Sequence, residues 1–159
     1  MSNSSKSVDI KAILLGAAVI FWMGVIFCLS SQPAVSSAEA SGTLAEWLLG
    51  LSYKICRGNP PDLITGVILK GDHFVRKTGH FIEFFILGLL VVSFFKRMNI
   101  KRHIALSITI CLLYAVSDEV HQSFVPGRGP LLSDVLLDSA SAGIGIFLRV
   151  LLKGKPQLQ

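Results

Sequence analysis

Charged side chains are scarce in this chain. Only 16% of its 159 residues are charged, whereas a soluble domain usually carries about 25%. Hydrophobic residues make up 52%, and the mean hydropathy is +0.63. The composition therefore excludes an ordinary soluble domain and predicts a membrane protein, with a single domain over residues 1–159.

Familiar catalytic and metal-binding signatures are also absent. The cysteines, Cys28, Cys56 and Cys111, have no metal-ligand spacing, and two lie in apolar runs, where cysteine behaves as a small hydrophobe. No P-loop, nucleophile elbow or HExxH motif occurs. The net charge of +5 comes from basic residues that bracket apolar runs. This pattern is typical of orientation in a bilayer and argues against nucleic acid as a partner.

Four apolar segments are long enough to cross a hydrocarbon core of roughly 30 Å, which takes about 20 helical residues. The first follows Lys6 and Lys11 and is longer than the apolar region of a signal peptide, normally about 7–15 residues, which is the alternative. We therefore predict an all-α polytopic membrane protein, a four-transmembrane-helix bundle. The predicted helices cover residues 11–30, 78–96, 103–124 and 133–152.

Lysine and arginine in the short loops predict the orientation. The loop between the second and third helices is strongly basic, and both termini are basic as well. In a four-helix hairpin topology these regions share one side. We therefore expect a multi-pass protein of the bacterial cytoplasmic membrane, with its N- and C-termini in the cytoplasm and the loop around Arg128 outside.

The connection between the first and second helices is predicted to form an extracytoplasmic loop over residues 31–77. Apolar residues recur at helical spacing over Thr43–Ile55 and predict an amphipathic helix with Trp47 near the headgroups. This helix either lies on the outer membrane surface or packs as a cap over the bundle. A second apolar stretch, Leu63–Leu69, is too short to span a membrane.

Ionisable residues recur at the predicted outer ends of three helices. Charge at membrane depth is costly, so such residues are rare and usually functional. In the second helix, Arg76, His80 and Glu83 share one face by their i, i+4 and i+7 spacing, and Lys77 lies beside them. The alternatives are that Arg76 and Lys77 mark a helix end near the headgroups, and that His80 and Glu83 form an interior pair.

The third helix carries a polar face near its end. Tyr114, Asp118, His121 and Gln122 fall on this face, and we expect Glu119 to point elsewhere, toward the headgroups or the first loop. Together with the second helix, this end of the chain supplies two histidines and several carboxylates.

The fourth helix carries two aspartates near its start. Asp134, Asp138 and Ser141 share a face, and Ser133 or Asp134 is expected to cap the helix. Ser141 and Gly145 have the small-xxx-small spacing that indicates helix packing. A cap role alone is the structural alternative for Asp134.

We expect these side chains to meet in an outward-facing pocket, because the three helix ends lie at similar depth and buried charges have to pair. Arg128 lies in the loop between the third and fourth helices, and its planar fork suits an aspartate, a phosphate or a carboxylate. Gly127 and Gly129 are interpreted as turn residues of that loop.

Three kinds of chemistry suit such a pocket, and the residues alone leave them open. Imidazole and carboxylate groups suit zinc or another divalent metal, although their spacing matches no tight metal signature. A histidine next to a carboxylate suits general acid–base catalysis without a metal. The basic residues suit an anionic lipid headgroup. Candidates for catalysis or metal binding are His80, Glu83, Asp118 and His121, and those for ligand binding are Arg76, Glu119, Gln122, Arg128, Asp134 and Asp138.

Three blocks of the chain resemble the VanZ-like membrane proteins, a family named after a protein associated with teicoplanin resistance. They occur in the family's order and span nearly the whole chain, and the third is the most specific. They are FCLSSQP over 27–33, RKTGHFIE over 76–83 with LGLL after it, and YAVSDEVHQSFVPGR over 114–128 with Ser133-Asp134-Val135 and Ala142-Gly143 following.

The resemblance implies that the family's polar positions fall on the pocket candidates, with Gln32 as a further polar group at the outer mouth. Some members have asparagine where this chain has Asp138, which implies that charge is not essential there. Members of the family lower susceptibility to glycopeptide antibiotics in some bacteria. The resemblance thus implies an envelope protein that binds or modifies a component such as a lipid-linked cell-wall precursor or an anionic lipid headgroup.

Two alternative functions remain open at this point. One is a metal-dependent or acid–base membrane enzyme that acts on a lipid-linked substrate. The other is a non-catalytic membrane scaffold. A transporter is disfavoured, because four helices without an inverted repeat give it little basis.

Overall fold

The computed structural model describes residues 9–59, 61 and 71–152. Across these residues the chain is all-α, without strands, which confirms the all-α part of the predicted fold class. The second apolar stretch of the first loop, Leu63–Leu69, lies outside the described residues. The helices are α1 (Ile10–Ser30), α2 (Ala34–Ile55), α3 (Gly71–Arg97), α4 (His103–Gln122) and α5 (Leu132–Leu151).

Three helical segments of the described chain are long and apolar enough to cross a membrane. They are Ile10–Ser30, Arg76–Arg97 within α3, and His103–Gln122. The predicted fourth span is a helix of 20 residues, α5, but it carries three charged side chains. Its crossing of the membrane, and with it the four-span count, stays a prediction.

The helix boundaries differ from the predicted ones by more than one residue at two places. α3 begins at Gly71, well before residue 78. α4 ends at Gln122 because the chain turns there: the N–H of Val125 donates to the carbonyl of Gln122 at 2.9 Å. Gly127 follows with φ of 78°, a left-handed conformation that glycine adopts without steric cost, so its predicted turn role is confirmed.

The core is built around α3, which contacts each of the other four helices. Its most extensive contact is with α5, and glycine lets the two backbones approach closely. A Cβ at Gly88 would overlap the carbonyl of Ala142, and one at Gly145 would overlap the carbonyl of Phe85. Ser141 is fully buried in the same interface, so the packing role of the small residues in α5 is confirmed.

The first helix is attached to the bundle by two aromatic side chains with polar ends. The Trp22 indole N–H donates to the carbonyl of Glu83 in α3 at 2.9 Å, and the Tyr114 hydroxyl of α4 donates to the carbonyl of Met23 at 2.6 Å. Both bonds satisfy a polar atom inside an otherwise apolar contact. They fix the middle of α1 against α3 and α4.

The helix predicted over Thr43–Ile55 is present and is longer than expected. α2 begins at Ala34, directly after Pro33, and packs against α3. Trp47 and Ile55 are exposed. Whether this helix lies on a membrane surface or caps the bundle stays open, and so does the extracytoplasmic placement of the loop.

An ion pair holds the end of the bundle at which α1 begins and α3 ends. Asp9 accepts hydrogen bonds from the backbone N–H of Ala12 and from Arg97, whose Nε lies 2.7 Å from Asp9 Oδ2. The hydrogen bond from Arg97 holds the pKa of Asp9 below its ordinary value of 3.8. The start of α1 is thereby tied to the end of α3.

Candidate functional site

A cavity of about 190 Å³ opens between α3, α5 and the turn that precedes α5. We call it the polar pocket, because cationic and polar side chains form much of its wall. Arg76 and Lys77 come from the polar end of the span in α3, and Arg128 comes from the turn. Its lining side chains include Arg76, Lys77, His80, Gln122, Arg128 and Asp134.

A second cavity of about 130 Å³ lies on the α1 side of the same residues. Three side chains line both cavities: Arg76, His80 and Arg128. Three further polar residues line the second cavity but not the first: Ser30, Gln32 and Glu83. The structure therefore places Gln32 beside the polar pocket, in the region where the resemblance implies it. Glu83 faces the same region and lies within electrostatic range of His80.

Three ionisable side chains from three helices meet next to the polar pocket. His80 of α3, Asp118 of α4 and Asp138 of α5 each offer one atom, and these atoms lie within 4.8 Å of one another. His80 Nδ1 is 3.6 Å from Asp138 Oδ2. Asp118 is 3% exposed and Asp138 1%, so both carboxyl groups are inside the bundle. We call these three residues the buried triad.

The buried triad has unused hydrogen-bonding capacity. Gln122 lies one turn after Asp118 and donates from Nε2 to Asp118 Oδ2 at 2.8 Å. The other oxygen of Asp118, and Oδ1 of Asp138, have no hydrogen-bond partner among the described residues. Each such buried polar atom costs about 1–3 kcal/mol when nothing satisfies it. Two carboxyl oxygens of the triad therefore remain available to a further group.

His121 does not join the buried triad. Its Nε2 is hydrogen-bonded to Ser31 Oγ at 2.9 Å, and its ring stacks on Phe27 with 4.1 Å between centroids. The predicted polar face of α4 thus divides: Gln122 stays beside Asp118, whereas His121 contacts Ser31 and Phe27 near the end of α1. His121 attaches α4 to the end of α1.

The expected direction of Glu119 is wrong. Its side chain is 5% exposed, and Oε1 accepts a hydrogen bond from the backbone N–H of Leu131, instead of pointing to headgroups or the first loop. The turn from α4 to α5 folds back so that this N–H reaches the carboxylate. Glu119 therefore fixes the turn that carries Arg128.

The predicted cap of α5 is also wrong. The N-cap is Leu131, and no side chain forms a cap hydrogen bond there. Asp134 lies in the first turn instead, accepts a hydrogen bond from Ser133 Oγ at 3.1 Å, and has Lys77 Nζ 3.6 Å from Oδ1. Asp134 is therefore the carboxylate on the wall of the polar pocket.

Arg128 lies between both cavities. Its Nη1 donates to the carbonyl of Ser30 at 3.3 Å, which holds the turn against the end of α1. Burial lowers the pKa of Arg128 from its ordinary value, and the nearby charge of Arg76 acts in the same direction. Asp118, Glu119 and Glu83 oppose this shift through their negative charge.

A family model described as VanZ/LLP1 matches residues 15–153. The chain belongs to the VanZ/LLP1 family. Searches of curated proteins and of solved structures gave no significant match. The match includes the polar pocket, the buried triad and all three sequence blocks, and it confirms the predicted resemblance. This VanZ/LLP1 protein is a membrane protein with at least three helices suited to spanning.

The sequence prediction missed several groups at the site of this VanZ/LLP1 protein. Ser30 is 2% exposed and lines the second cavity, and Ser31 holds His121. The Ser-Ser-Gln-Pro block contains both serines, but nothing in its pattern points them toward α4. The backbone N–H of Leu131 was missed as well, since a backbone partner leaves no mark in the residue types.

Proposed function

We propose that this protein binds the phosphate-bearing headgroup of a lipid-linked component of the bacterial cell envelope in the polar pocket. The observation that carries the proposal is the convergence of Arg76, Lys77 and Arg128 on one cavity. Guanidinium groups bind phosphate oxygens in a bidentate manner, and an ammonium adds a point charge. Three cations on one small cavity favour an anionic ligand.

The charge balance of the wall supports this choice. Asp134 is the carboxylate that faces the polar pocket, and Lys77 lies beside it. The acids of the buried triad, Asp118 and Asp138, do not line the cavity, whereas His80 does. A ligand in the pocket therefore meets positive charge first.

The size and depth of the pocket support a headgroup as the ligand. A cavity of about 190 Å³ is small beside the roughly 300–1,000 Å³ of pockets for drug-sized molecules. It holds a phosphate and the groups next to it, while a lipid tail stays outside in the bilayer. Arg76 begins the membrane-spanning segment of α3, which is the depth at which headgroups lie.

The proposal includes the orientation inferred from the basic loops. With both termini in the cytoplasm, the polar pocket faces the outer leaflet of the cytoplasmic membrane, where lipid-linked cell-wall precursors are used. A link to glycopeptide (teicoplanin) resistance forms part of the proposal through this ligand class. Cysteine labelling from outside intact cells at position 126 tests the orientation, and protection there would contradict it.

A binding measurement tests the ligand. The purified protein in detergent is titrated with a polyprenyl pyrophosphate, with phosphatidylglycerol and with phosphatidylcholine. Arg128→Gln should weaken binding of the first two by about tenfold or more, since a hydrogen bond to a charged group contributes about 1.5–3 kcal/mol. Arg57→Gln, an exposed arginine outside the pocket, is the matched control. Equal binding by Arg128→Gln and the wild type would overturn the proposal.

The second candidate function is an enzyme that acts on the same class of lipid. It is favoured by one observation: His80 lines the polar pocket while Asp138 lies behind its Nδ1. A carboxylate in that position orients an imidazole for general acid–base catalysis. Phosphate release from the polyprenyl pyrophosphate that is lost in His80→Gln, and kept in His103→Gln, would support it. Binding of the lipid without phosphate release would rule out the enzyme and support the binding function. A non-catalytic scaffold would show neither lipid binding nor phosphate release.

A further inference from the structure

The buried triad combines two features that favour a bound cation. Two carboxyl groups, Asp118 and Asp138, lie close together at 3% and 1% exposure. One oxygen of each has no hydrogen-bond partner in the described part of the chain. Like charges in a medium of low dielectric constant repel strongly, and a buried charge requires a partner or a metal.

The donor set indicates the kind of cation. His80 adds an imidazole nitrogen to the two carboxylate oxygens. Magnesium and calcium prefer ligand sets made only of oxygen, whereas imidazole suits zinc and other first-row metals. Three protein ligands with a remaining open position are typical of a reactive zinc centre.

We propose that His80, Asp118 and Asp138 bind one divalent first-row cation, Zn²⁺ or Mn²⁺, next to the polar pocket. The ligand atoms lie within 4.8 Å of one another. Metal–ligand distances of about 2.1 Å require separations of about 3–4 Å, so the side chains close by roughly 1 Å on binding.

Gln122 acts as a positioning residue for this site. It donates to Asp118 Oδ2 and also lines the polar pocket. Groups that hold a ligating carboxylate in place typically change metal affinity by about 10–100-fold when they are removed. The amide therefore connects the cation site to the cavity that receives the ligand.

The role of the cation site rests on the proposed function, because the cation would help to bind the phosphate of the lipid headgroup. His80 belongs to both the triad and the wall of the polar pocket, so a cation there adds positive charge beside the phosphate. The two proposals remain separable, because cation binding needs no lipid and headgroup binding can be measured with a chelator present. Arg128→Gln separates them further, since it should weaken lipid binding and leave cation binding in place.

A direct binding measurement tests the cation site. The full-length protein in detergent is freed of metal with a chelator, and is then titrated with Zn²⁺ or Mn²⁺ and analysed by elemental mass spectrometry. We expect about one ion per wild-type chain and at least tenfold weaker binding in Asp118→Ala, because each ligand contributes directly. Glu46→Gln, an exposed acid on α2, is the charge-matched control. A folded wild-type protein that binds neither ion would overturn the inference.

A spectroscopic signature protects the test from a variant that misfolds. Bound Mn²⁺ should show nitrogen hyperfine coupling from His80 in pulsed electron paramagnetic resonance. This coupling should vanish in His80→Phe and persist in the matched control His103→Phe, with circular dichroism verifying the fold of both. A wild-type signal without nitrogen coupling would contradict the assignment. If cation binding fails while Arg128-dependent lipid binding survives, the proposed function stands alone.

Discussion

His80 and Asp138 face each other across the interface of α3 and α5, with 3.6 Å between Nδ1 and Oδ2. Their approach depends on the backbone contact farther along the same helices, where Gly88 meets Ala142. Side chains of ordinary size there would separate the helices. The packing of small residues therefore determines the geometry of the site.

The first prediction concerns this glycine contact. Gly88→Ala should destabilise the protein by about 1–3 kcal/mol, because its Cβ would overlap the carbonyl of Ala142 and the backbones would have to shift. Thermal unfolding in detergent measures the loss. Gly143→Ala is the matched control in α5, since a Cβ there meets nothing within 4 Å. An unchanged midpoint in Gly88→Ala would contradict the close packing.

The second prediction concerns His121. Ser31→Ala and His121→Phe should each lower stability, and together they should show a coupling of about 0.5–1.5 kcal/mol from the lost hydrogen bond. Stacking on Phe27 is kept by the phenylalanine. Binding of the polyprenyl pyrophosphate and of Zn²⁺ should stay at the wild-type level. A large loss of either, with the fold intact, would return His121 to the site.

The third prediction concerns Asp134. Asp134→Asn removes a negative charge from the wall of the polar pocket and should strengthen binding of the anionic lipid roughly two- to fivefold, the equivalent of about 0.5–1 kcal/mol. The gain should shrink at high salt, because exposed charges are screened. Titrations at low and high ionic strength measure both effects. Weaker binding would mean that Asp134 contacts the ligand directly.

The fourth prediction concerns Asp9. Because its pKa is lower in the folded protein than the ordinary 3.8, its contribution to stability is present above that value and is lost as the pH falls through the folded pKa. Asp9→Asn should therefore flatten the decline of stability in acid below about pH 4. Unfolding midpoints between pH 3 and 7 measure this, with Glu46→Gln as the control. Parallel curves for the wild type and Asp9→Asn would contradict the linkage.

Hydrophobic length and spacing predict most of the fold. The helices around Ile26 in α1, Leu87 in α3 and Cys111 in α4 follow from long apolar runs, which have few alternatives to helical structure in a membrane. Hydropathy predicts a membrane crossing by α5 less clearly, because the charged residues of α5 lower its mean hydropathy. The extension of α3 back to Gly71 lies in a polar segment, where length and hydropathy give no signal.

The sequence predicts which residues form the site better than it predicts which groups each of these residues contacts. Helical periodicity predicts that His80 and Asp118 face a common centre, because their helix ends lie at one depth and charged groups inside a bundle have to pair. Periodicity does not separate His121 from Gln122, because both lie within about 60° of Asp118 around the helix. Which of the two joins the site depends on the side chains that lie next to each of them. The contact of Glu119 with Leu131 depends on the path of the turn, which residue types do not specify.

Trp22 gives the site a built-in optical reporter. Its indole donates to the carbonyl of Glu83, and Glu83 lines the cavity next to the polar pocket. The chain contains two tryptophans, and the other, Trp47, lies exposed on α2. In Trp47→Phe the emission spectrum would come from Trp22 alone, so its wavelength and intensity would follow the local field as the neighbouring charges change.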